Sequence, residues 1–241
     1  MIPIARACVC DDYFTVGSDG ELCLQPGTMG LRRILHFNPG THTFRKASYP
    51  WLARVLVEVQ GGGGGSAGAD AAANECVARP GGSGGGYSRS LLEVSALGAS
   101  EPVIVGAGGS AGGSSSDGGD GGVSSFGSFV IAPGGYGGTS NMPSGTTADT
   151  SQGIGGPQAG TGQFTMGGGS SGTAIRLNGT NGVAGAGGGS FLGTGGTGRS
   201  TQGVGASPRG RGAGAGGAVS FGSAFAGGEG GSGIVIVHLY G

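Results

Sequence analysis

The sequence predicts a mainly β protein with a short N-terminal β-rich part, layers of extended polyglycine-II helices and almost no α-helix. The first observation behind this prediction is the placement of glycine. Five of the 65 glycines lie in residues 1–60, which leaves 60 in residues 61–241, one residue in three. The second is that alternating apolar patterns flank this part, whereas no segment longer than about ten residues has helical periodicity.

Two other classes of glycine-rich chain fit this composition less well. A collagen helix needs glycine at every third position and abundant proline. This chain has 10 prolines and no fixed glycine phase, as GGSGGGYSRSLLEV at 81–94 shows. Disordered chains combine high net charge with few apolar residues, but here the net charge is −1 and 36% of the residues are hydrophobic. We therefore expect the glycines to be ordered.

Residues 1–52 have an ordinary composition and are predicted to form a β-rich docking region. Turn sequences such as GSDG, QPGTMG and NPG separate its apolar groups, and glycine and proline favour tight turns. The apolar groups predict short strands at 13–16, 22–24, 31–37 and 41–44.

Residues 53–241 are predicted to be a glycine-rich domain bracketed by two strands. ARVLVEV predicts the first strand, over 53–60, and GIVIVHLYG predicts the last, over 233–240, so the two are plausible neighbours in one sheet. Further strands are expected at 91–97, 102–105 and 128–132, and one or two helical turns could form at 70–77.

The five glycines at 61–65 directly follow the first of these strands. Ordering glycine costs more backbone entropy than ordering any other residue, and no side-chain burial offsets that cost. Without Cβ atoms, however, neighbouring chains can approach closely. An extended polyproline-II-like helix makes no internal hydrogen bonds, and buried peptide groups must be paired. Packing such helices side by side would let each pair with its neighbours.

Three motifs match enzyme signatures in sequence but lack the flanking strands, helices or histidines that those enzymes need. PVIVGAGGSAGG at 102–113 resembles a dinucleotide fingerprint, but GSSSDGGDGG follows it where a helix should begin. Gly-x-Ser-x-Gly surrounds Ser83 and Ser170, but neither has the strand, helix and partner histidine of a nucleophile elbow. We predict no enzymatic activity and no cofactor.

No metal site is predicted either. Cys8, Cys10, Cys23 and Cys76 lack the paired spacing of zinc ligands, and reduced thiols are expected. Asp117 and Asp120 could offer oxygen ligands to calcium, but a solvated turn is the favoured interpretation.

Charge and hydropathy exclude two classes of partner. A net charge of −1 gives no basic footprint for nucleic acid. No apolar run approaches the roughly 18 residues of a membrane helix, so no membrane insertion is expected. The N-terminus lacks the apolar stretch of a signal peptide, which predicts synthesis in a cytoplasm without a secretory address.

The order of motifs resembles the glycine-rich domains of bacteriophage tail proteins, which include tail fibres, distal-tail adhesins and minor tail proteins. The resemblance covers residues 37–241. It rests on RVLVEVQGGGGG, GGSGGGYSRSLL, PVIVGAGGSAGG, SSFGSFVIAPGGYGG and the terminal GGSGIVIVHLYG. Residues 1–36 match nothing in that family.

The resemblance implies a structural role in the virion tail, with assembly in the host cytoplasm. It implies other tail proteins as partners through residues 1–52, and a homotrimer or attachment to a trimeric tail component. In the adhesin members it also implies variable loops that contact a host surface glycan or protein. The alternatives are a glycine-rich cell-surface or matrix protein without receptor binding, and a carbohydrate-active tail enzyme, which would need clustered carboxylates.

The candidate receptor-contact residues lie in the glycine-poor loops, since loops on a rigid scaffold commonly carry binding. The candidate loops are 67–80, 139–152 and 199–211. Tyr136 and Tyr87, each beside glycines, could present a ring for sugar stacking or could cap the glycine lattice. The loop residues singled out as contacts are Thr139, Ser140, Asn141, Thr146, Thr147, Asp149, Arg199 and Arg209.

Overall fold

A computed structural model describes residues 14–18, 20–24 and 30–241, and this part of the chain is mainly β with no α-helix. Its two short 3₁₀ turns are Lys46–Ser48 and Val94–Ala96. The strands of the first half are β1 (Phe14–Val16), β2 (Leu22–Leu24), β3 (Leu31–Phe37), β4 (Gly40–Arg45), β5 (Arg54–Gln60), β6 (Val77–Ala78), β7 (Tyr87–Glu93), β8 (Ser100–Val105) and β9 (Ser124–Phe126). The remaining strands are β10 (Val130–Ala132), β11 (Asp149–Ser151), β12 (Phe164–Met166), β13 (Ala174–Asn178), β14 (Asn181–Val183), β15 (Gly193–Thr194), β16 (Arg209–Gly210), β17 (Val219–Ser220) and β18 (Ile234–Tyr240).

Two antiparallel sheets contain the longer strands. One has the order β12-β7-β5-β18-β3 and the other has the order β10-β9-β8-β4. The predicted bracketing strands are direct neighbours, because β5 pairs with β18 along its whole length, with Val57 opposite Val237. That expectation is confirmed.

One hydrophobic cluster joins the two sheets. Strand alternation turns every second residue of β5 and β18 inward, and the side chains there are fully buried. Valine and leucine at these positions contribute roughly 1.5–3 kcal/mol each by burial. The inward residues are Val55, Val57, Val59, Val235, Val237 and Leu239, and they share the cluster with Phe44, Val103, Val105 and Phe126 of the facing sheet.

Strand prediction succeeded where apolar alternation was visible. The predicted strands at 22–24 and 31–37 have the observed bounds. The strand expected at 91–97 lies earlier, at β7, because its buried positions Ser88 and Ser90 are small polar residues that give no apolar signal. The helical turns considered at 70–77 are wrong: this segment is a turn followed by β6, and Asn74 has a positive φ of 65°.

The predicted docking region shares the sheets of the glycine-rich domain. β3 pairs with β18 and β4 pairs with β8, so the chain from Leu31 onward is built into both sheets. Among the described residues, β1 and β2 pair only with each other. Residues 1–13, 19 and 25–29 of the predicted docking region lie outside the described residues.

Beyond β5, backbone hydrogen bonds from the glycine run change partner with a three-residue period. The N–H groups of Gly61 and Gly64, three residues apart, both donate to the segment 83–86. The N–H groups of Gly62 and Gly65 both donate to the segment 116–122. The third set, Gly63, Ser66 and Ala69, donates to the segment 225–231. Carbonyl groups of the same run accept N–H groups from three further segments. The six surrounding segments are 83–86, 116–122, 225–231, 106–112, 133–138 and 212–217.

These contacts are too close for side chains. A Cβ atom added at Gly63, Gly64 or Gly65 would lie 2.1 Å from a carbonyl oxygen of a neighbouring segment, and real Cβ atoms do not approach that closely. All residues from 61 to 69 are buried. The glycines therefore let backbones pack at distances that alanine would prevent.

The glycine segments separate two ends of the molecule. The two large sheets form what we call the sheet end. The segments leave the sheets, pass through the body and turn at what we call the loop end. The loop end comprises the turns at 70–75, 113–117, 139–152, 199–204 and 221–224 and the hairpin of β13 and β14.

Candidate groove at the loop end

A groove of about 550 Å³ lies on the loop 139–152 and the residues that follow it. Its walls carry mainly hydroxyl and amide side chains, with one carboxylate, Asp149. Met142 and Ile154 supply apolar lining. The lining residues are Thr139, Asn141, Met142, Asp149, Thr150, Ser151, Gln152, Gly153, Ile154 and Gly155.

Arg176 of β13 holds one half of this loop. The arginine is only 3% exposed, and its Nε donates to the carbonyl oxygen of Thr147 at 2.6 Å. Its terminal nitrogens donate to the carbonyl oxygens of Cys76 and Pro143 and lie 3.3 Å from the carboxylate of Asp149. A planar donor group with fixed geometry thus fixes the loop backbone at several points.

Arg79 holds the first half of the loop, around Met142. Its Nε donates to the carbonyl oxygen of Gly68 at 2.8 Å, and a terminal nitrogen donates to that of Met142 at 2.7 Å. Burial lowers the pKa of Arg79 to about 10, partly offset by Asp117, so the guanidinium remains charged at neutral pH. The Met142 side chain is 2% exposed and packs with Ala78, Ala174, Ala184 and Val219.

Asp117 and Asp120 are anchors for neighbouring loops. One oxygen of Asp117 accepts both the hydroxyl and the backbone N–H of Ser140, each at 2.6 Å, and these bonds lower the pKa of the carboxyl group. Asp120 accepts the backbone N–H of Gly137 at 2.7 Å. Within the described residues, no group of three or more His, Cys, Asp or Glu side chains is arranged to hold a metal ion.

Two of the three predicted loops lie together. The Ser144 hydroxyl accepts the N–H of Ala72 at 2.9 Å and donates to the carboxylate of Glu75, both in the loop 67–80. The N–H of Cys76 donates to the carbonyl oxygen of Gly145 at 2.9 Å. Cys76 is a free, buried thiol whose pKa is raised by burial, and Cys23 is free and exposed.

The structure divides the predicted contact residues of the loop 139–152. Thr139, Asn141 and Asp149 line the groove. Ser140 is committed to Asp117. Thr146 and Thr147 are exposed on the same loop but outside the lining.

The arginines of the third loop, 199–211, lie at opposite ends of the molecule. Arg199 is at the loop end, where its guanidinium donates to the carbonyl oxygens of Thr201 and Val204. Arg209 is exposed in β16, which pairs with β15 toward the sheet end.

The two tyrosines have different surroundings. Tyr136 is 49% exposed and leads into the loop 139–152, so its ring can reach a ligand. Tyr87 is 1% exposed, and its ring stacks on Phe191 with centroids 4.1 Å apart. Its hydroxyl donates to Glu58, and burial together with this bond raises the tyrosine pKa. The Tyr87 ring is thus covered by Phe191 and is not presented to solvent.

Sequence reasoning missed the residues that fix the groove. Thr150, Gln152 and Ile154 were not singled out, although the first two fall within the predicted loop. Arg79 and Arg176 were also missed. Their signal was available, since each is a charged residue inside a short apolar stretch, CVARP and AIRLN.

This arrangement defines a class of protein: an all-β scaffold whose glycine-rich body carries irregular loops. A family model described as a glycine-rich domain matches residues 40–240, from the first residue of β4 to the last of β18. The chain belongs to this glycine-rich domain family. No curated protein matches it in sequence. Among the described residues, no helix has both the length and the apolar character to span a membrane.

Proposed function

We propose that the protein is a non-enzymatic structural component of a bacteriophage tail, at the tail tip or in a fibre, and that it contributes to host attachment. The observation that carries the proposal is the polar groove on a loop fixed by Arg79, Arg176 and Asp117. A rigid scaffold that presents shaped loops is a common arrangement for recognition. The motif order, which resembles that of phage tail proteins, supports the tail as the location.

The glycine-rich body is proposed to consist of packed polyglycine-II helices. A helix of the polyproline-II type has three residues per turn and no internal hydrogen bonds. The three-residue period with which N–H groups of the run 61–69 change partners supports this geometry. Such a body would hold the loop end away from the sheets as a stiff spacer.

The assembly is proposed from the resemblance. Residues 1–52 attach the protein to other tail proteins, and the protein forms a homotrimer or binds a trimeric tail component. It is assembled in the host cytoplasm and resides in the virion tail. The groove contacts a glycan or protein on the host surface.

The experiment is a pull-down of the purified protein on intact candidate host cells. Replacing the whole loop 139–152 would remove Met142 from its pocket and disturb the carbonyl acceptors that the loop offers to the buried Arg79 and Arg176. Unfolding could then not be separated from lost recognition. The test variant is therefore the triple change Asn141→Ala, Thr150→Ala and Gln152→Ala, which alters exposed groove side chains only. The matched control changes Thr41→Ala and Gln158→Ala, exposed positions outside the groove.

Saturable binding by the native protein and the control, with a loss of about tenfold or more in the triple variant, is the expected result. If no form binds cells that the phage infects, attachment is wrong, and a structural protein without receptor binding is favoured. Equal binding by all three forms would remove the groove from the proposal.

A further inference from the structure

A second surface, at the sheet end, lies where the sandwich is open. β3 is the outer strand of one sheet and β4 is the outer strand of the other. The two strands are joined through Asn38 and Pro39 but pair with different sheets. Within the described residues, each therefore has one edge without a strand partner. Unpaired strand edges offer backbone donors and acceptors to another chain.

A cleft of about 240 Å³ lies between these two edge strands, and its lining is part apolar and part polar. The polar lining residues are His36, Thr43, Arg45 and Ser48. Leu35 and Phe37 of β3, with Tyr49, line it and are only partly buried, although all three pack against the main core. Phe44 of β4 forms its deepest part, at 2% exposure. The cleft thus extends the hydrophobic core toward solvent, and an apolar side chain entering it would contact the core directly.

Two exposed arginines lie at the cleft. Arg45 lines it, and Arg33, on the same face of β3 as Leu35 and Phe37, lies over the ring of the lining residue Tyr49 at 5.8 Å. Neither arginine forms an ion pair with a carboxylate in the described part of the chain, where the pairs are Arg176–Asp149 and His238–Glu58. Arginine is the residue best suited to bind carboxylates with two parallel hydrogen bonds.

Charge is distributed unequally between the two ends. The loop end carries the acidic residues Asp70, Glu75, Asp117 and Asp149, while Arg176 of its hairpin and Arg79, which contacts the loop 139–152, are buried among carbonyl oxygens. In the strands of the two large sheets, the arginines outnumber the acidic residues: they are Arg32, Arg33, Arg45, Arg54 and Arg89 against Glu58, Glu93 and Glu101. The cleft lies in this basic part, so a negatively charged partner is attracted to the sheet end more than to the loop end.

We propose that this cleft binds an extended, acidic segment of a partner protein. The segment pairs its backbone with the free edge of β3 or β4 and inserts an apolar side chain against Phe44. Its carboxylates bind Arg33 and Arg45. Addition of a strand to a sheet edge is a common mode of peptide recognition, in which pockets for alternate side chains supply specificity. This inference rests on the proposed function, in which residues 1–52 dock onto the tail, and it specifies the surface and the chemistry of that docking.

The test uses a fluorescein-labelled peptide of alternating glutamate and valine as the probe, with fluorescence anisotropy as the readout. The native protein is expected to bind it saturably at low salt and more weakly as salt is added. The variant Arg33→Glu/Arg45→Glu should bind about tenfold or more weakly and should instead bind the matching lysine–valine peptide. Arg89→Glu reverses an exposed arginine on β7, which β5 and β18 separate from β3, and should leave affinity unchanged. Thermal melting verifies that each variant is folded.

Failure of the native protein to bind the acidic peptide, or equal weakening by Arg89→Glu, would overturn the inference. Tighter binding of a labelled oligo-thymidine through the same arginines would also overturn it, since the partner would then be a nucleic acid. The host-cell pull-down separates this result from the proposed function. Groove-dependent attachment without peptide binding would leave the proposed function in place and remove only the cleft.

Discussion

The sheet end and the glycine-rich body bury their residues in opposite ways. At the sheet end, valine, leucine and phenylalanine side chains fill the space between two sheets. In the body, residues 61–69 are also buried, but they carry almost no side-chain atoms, and their N–H groups bond to surrounding segments. Each such bond contributes only about 0.5–1.5 kcal/mol net. Burial in the body is therefore stabilised by many modest backbone contacts, and burial at the sheet end by fewer, larger side chains.

The largest expected effect comes from removing a side chain at the sheet end. Phe126 is fully buried, and its ring lies 5.5 Å from that of Phe44. Phe126→Ala should lower the free energy of unfolding by about 3–5 kcal/mol, because it loses apolar burial and leaves a cavity. Urea denaturation measures the change. Phe164→Ala is the control: Phe164 is 43% exposed, so a loss equal to that of Phe126→Ala would contradict the assigned core.

The second prediction adds an atom in the body instead of removing one. Gly64→Ala would place Cβ 2.1 Å from the Tyr136 carbonyl oxygen, so a neighbouring backbone must move. We expect a loss of about 3 kcal/mol, the upper end of the range for overpacked cores. The same urea experiment measures it.

Gly155→Ala is the matched control for that prediction. Its added Cβ would meet nothing within 4 Å. Where the backbone tolerates alanine, this change commonly stabilises a protein by about 0.4–1 kcal/mol through the unfolded state. If both glycine variants were equally stable, close backbone packing would not be what requires glycine at Gly64.

Sequence reasoning predicted the two regions unequally for a physical reason. In β5 and β18, valines alternate with other residues, so the pattern shows both the strand and its inward face. In the body, glycine has no side chain to mark a face, and the three-residue period exists only in the hydrogen bonds between distant segments. No property of Gly64 in the sequence predicts that Ser83 accepts its N–H.

For the candidate groove, the sequence predicts the loop but not the contacts that hold it. The loop 139–152 could be predicted because it is poor in glycine. The hydrogen bonds that hold the loop in place could not be predicted, because Arg176 is separated from its acceptors Thr147 and Cys76 by 29 and 100 residues. Tyr87 shows the same limit: a tyrosine beside glycines can be exposed, like Tyr136, or covered by a distant residue such as Phe191.

A third prediction concerns the connection between body and groove. Arg176→Met keeps a long side chain but removes the donors to three backbone carbonyl groups, including that of Cys76. An unsatisfied buried polar group costs about 1–3 kcal/mol, so we expect a loss of about 2 kcal/mol. Amide hydrogen exchange should accelerate at residues 143–149 more than in β5.

Arg199→Met is the comparison variant for this loop-end arginine. Arg199 is half-buried, and its guanidinium donates exposed hydrogen bonds to the carbonyl groups of Thr201 and Val204 in its own loop, so a change within about 0.5 kcal/mol is expected. Faster exchange in 143–149 after this substitution would mean that the loop is not held mainly by Arg176.

The smallest expected effect is the pH dependence contributed by Asp117. Hydrogen bonds from Ser140 favour the ionised carboxylate and hold its folded-state pKa below the ordinary value of 3.8. A depressed folded pKa stabilises the native state above the unfolded pKa, and this contribution is lost as the pH falls through the folded pKa. Asp117→Asn keeps an oxygen that can accept the Ser140 bonds but removes the charge. The stability difference between native protein and variant should therefore be constant from about pH 7 to 5 and shrink below about pH 4. Thermal melting across this range measures it, and a difference that grew on acidification would show that the carboxylate is not stabilised by Ser140.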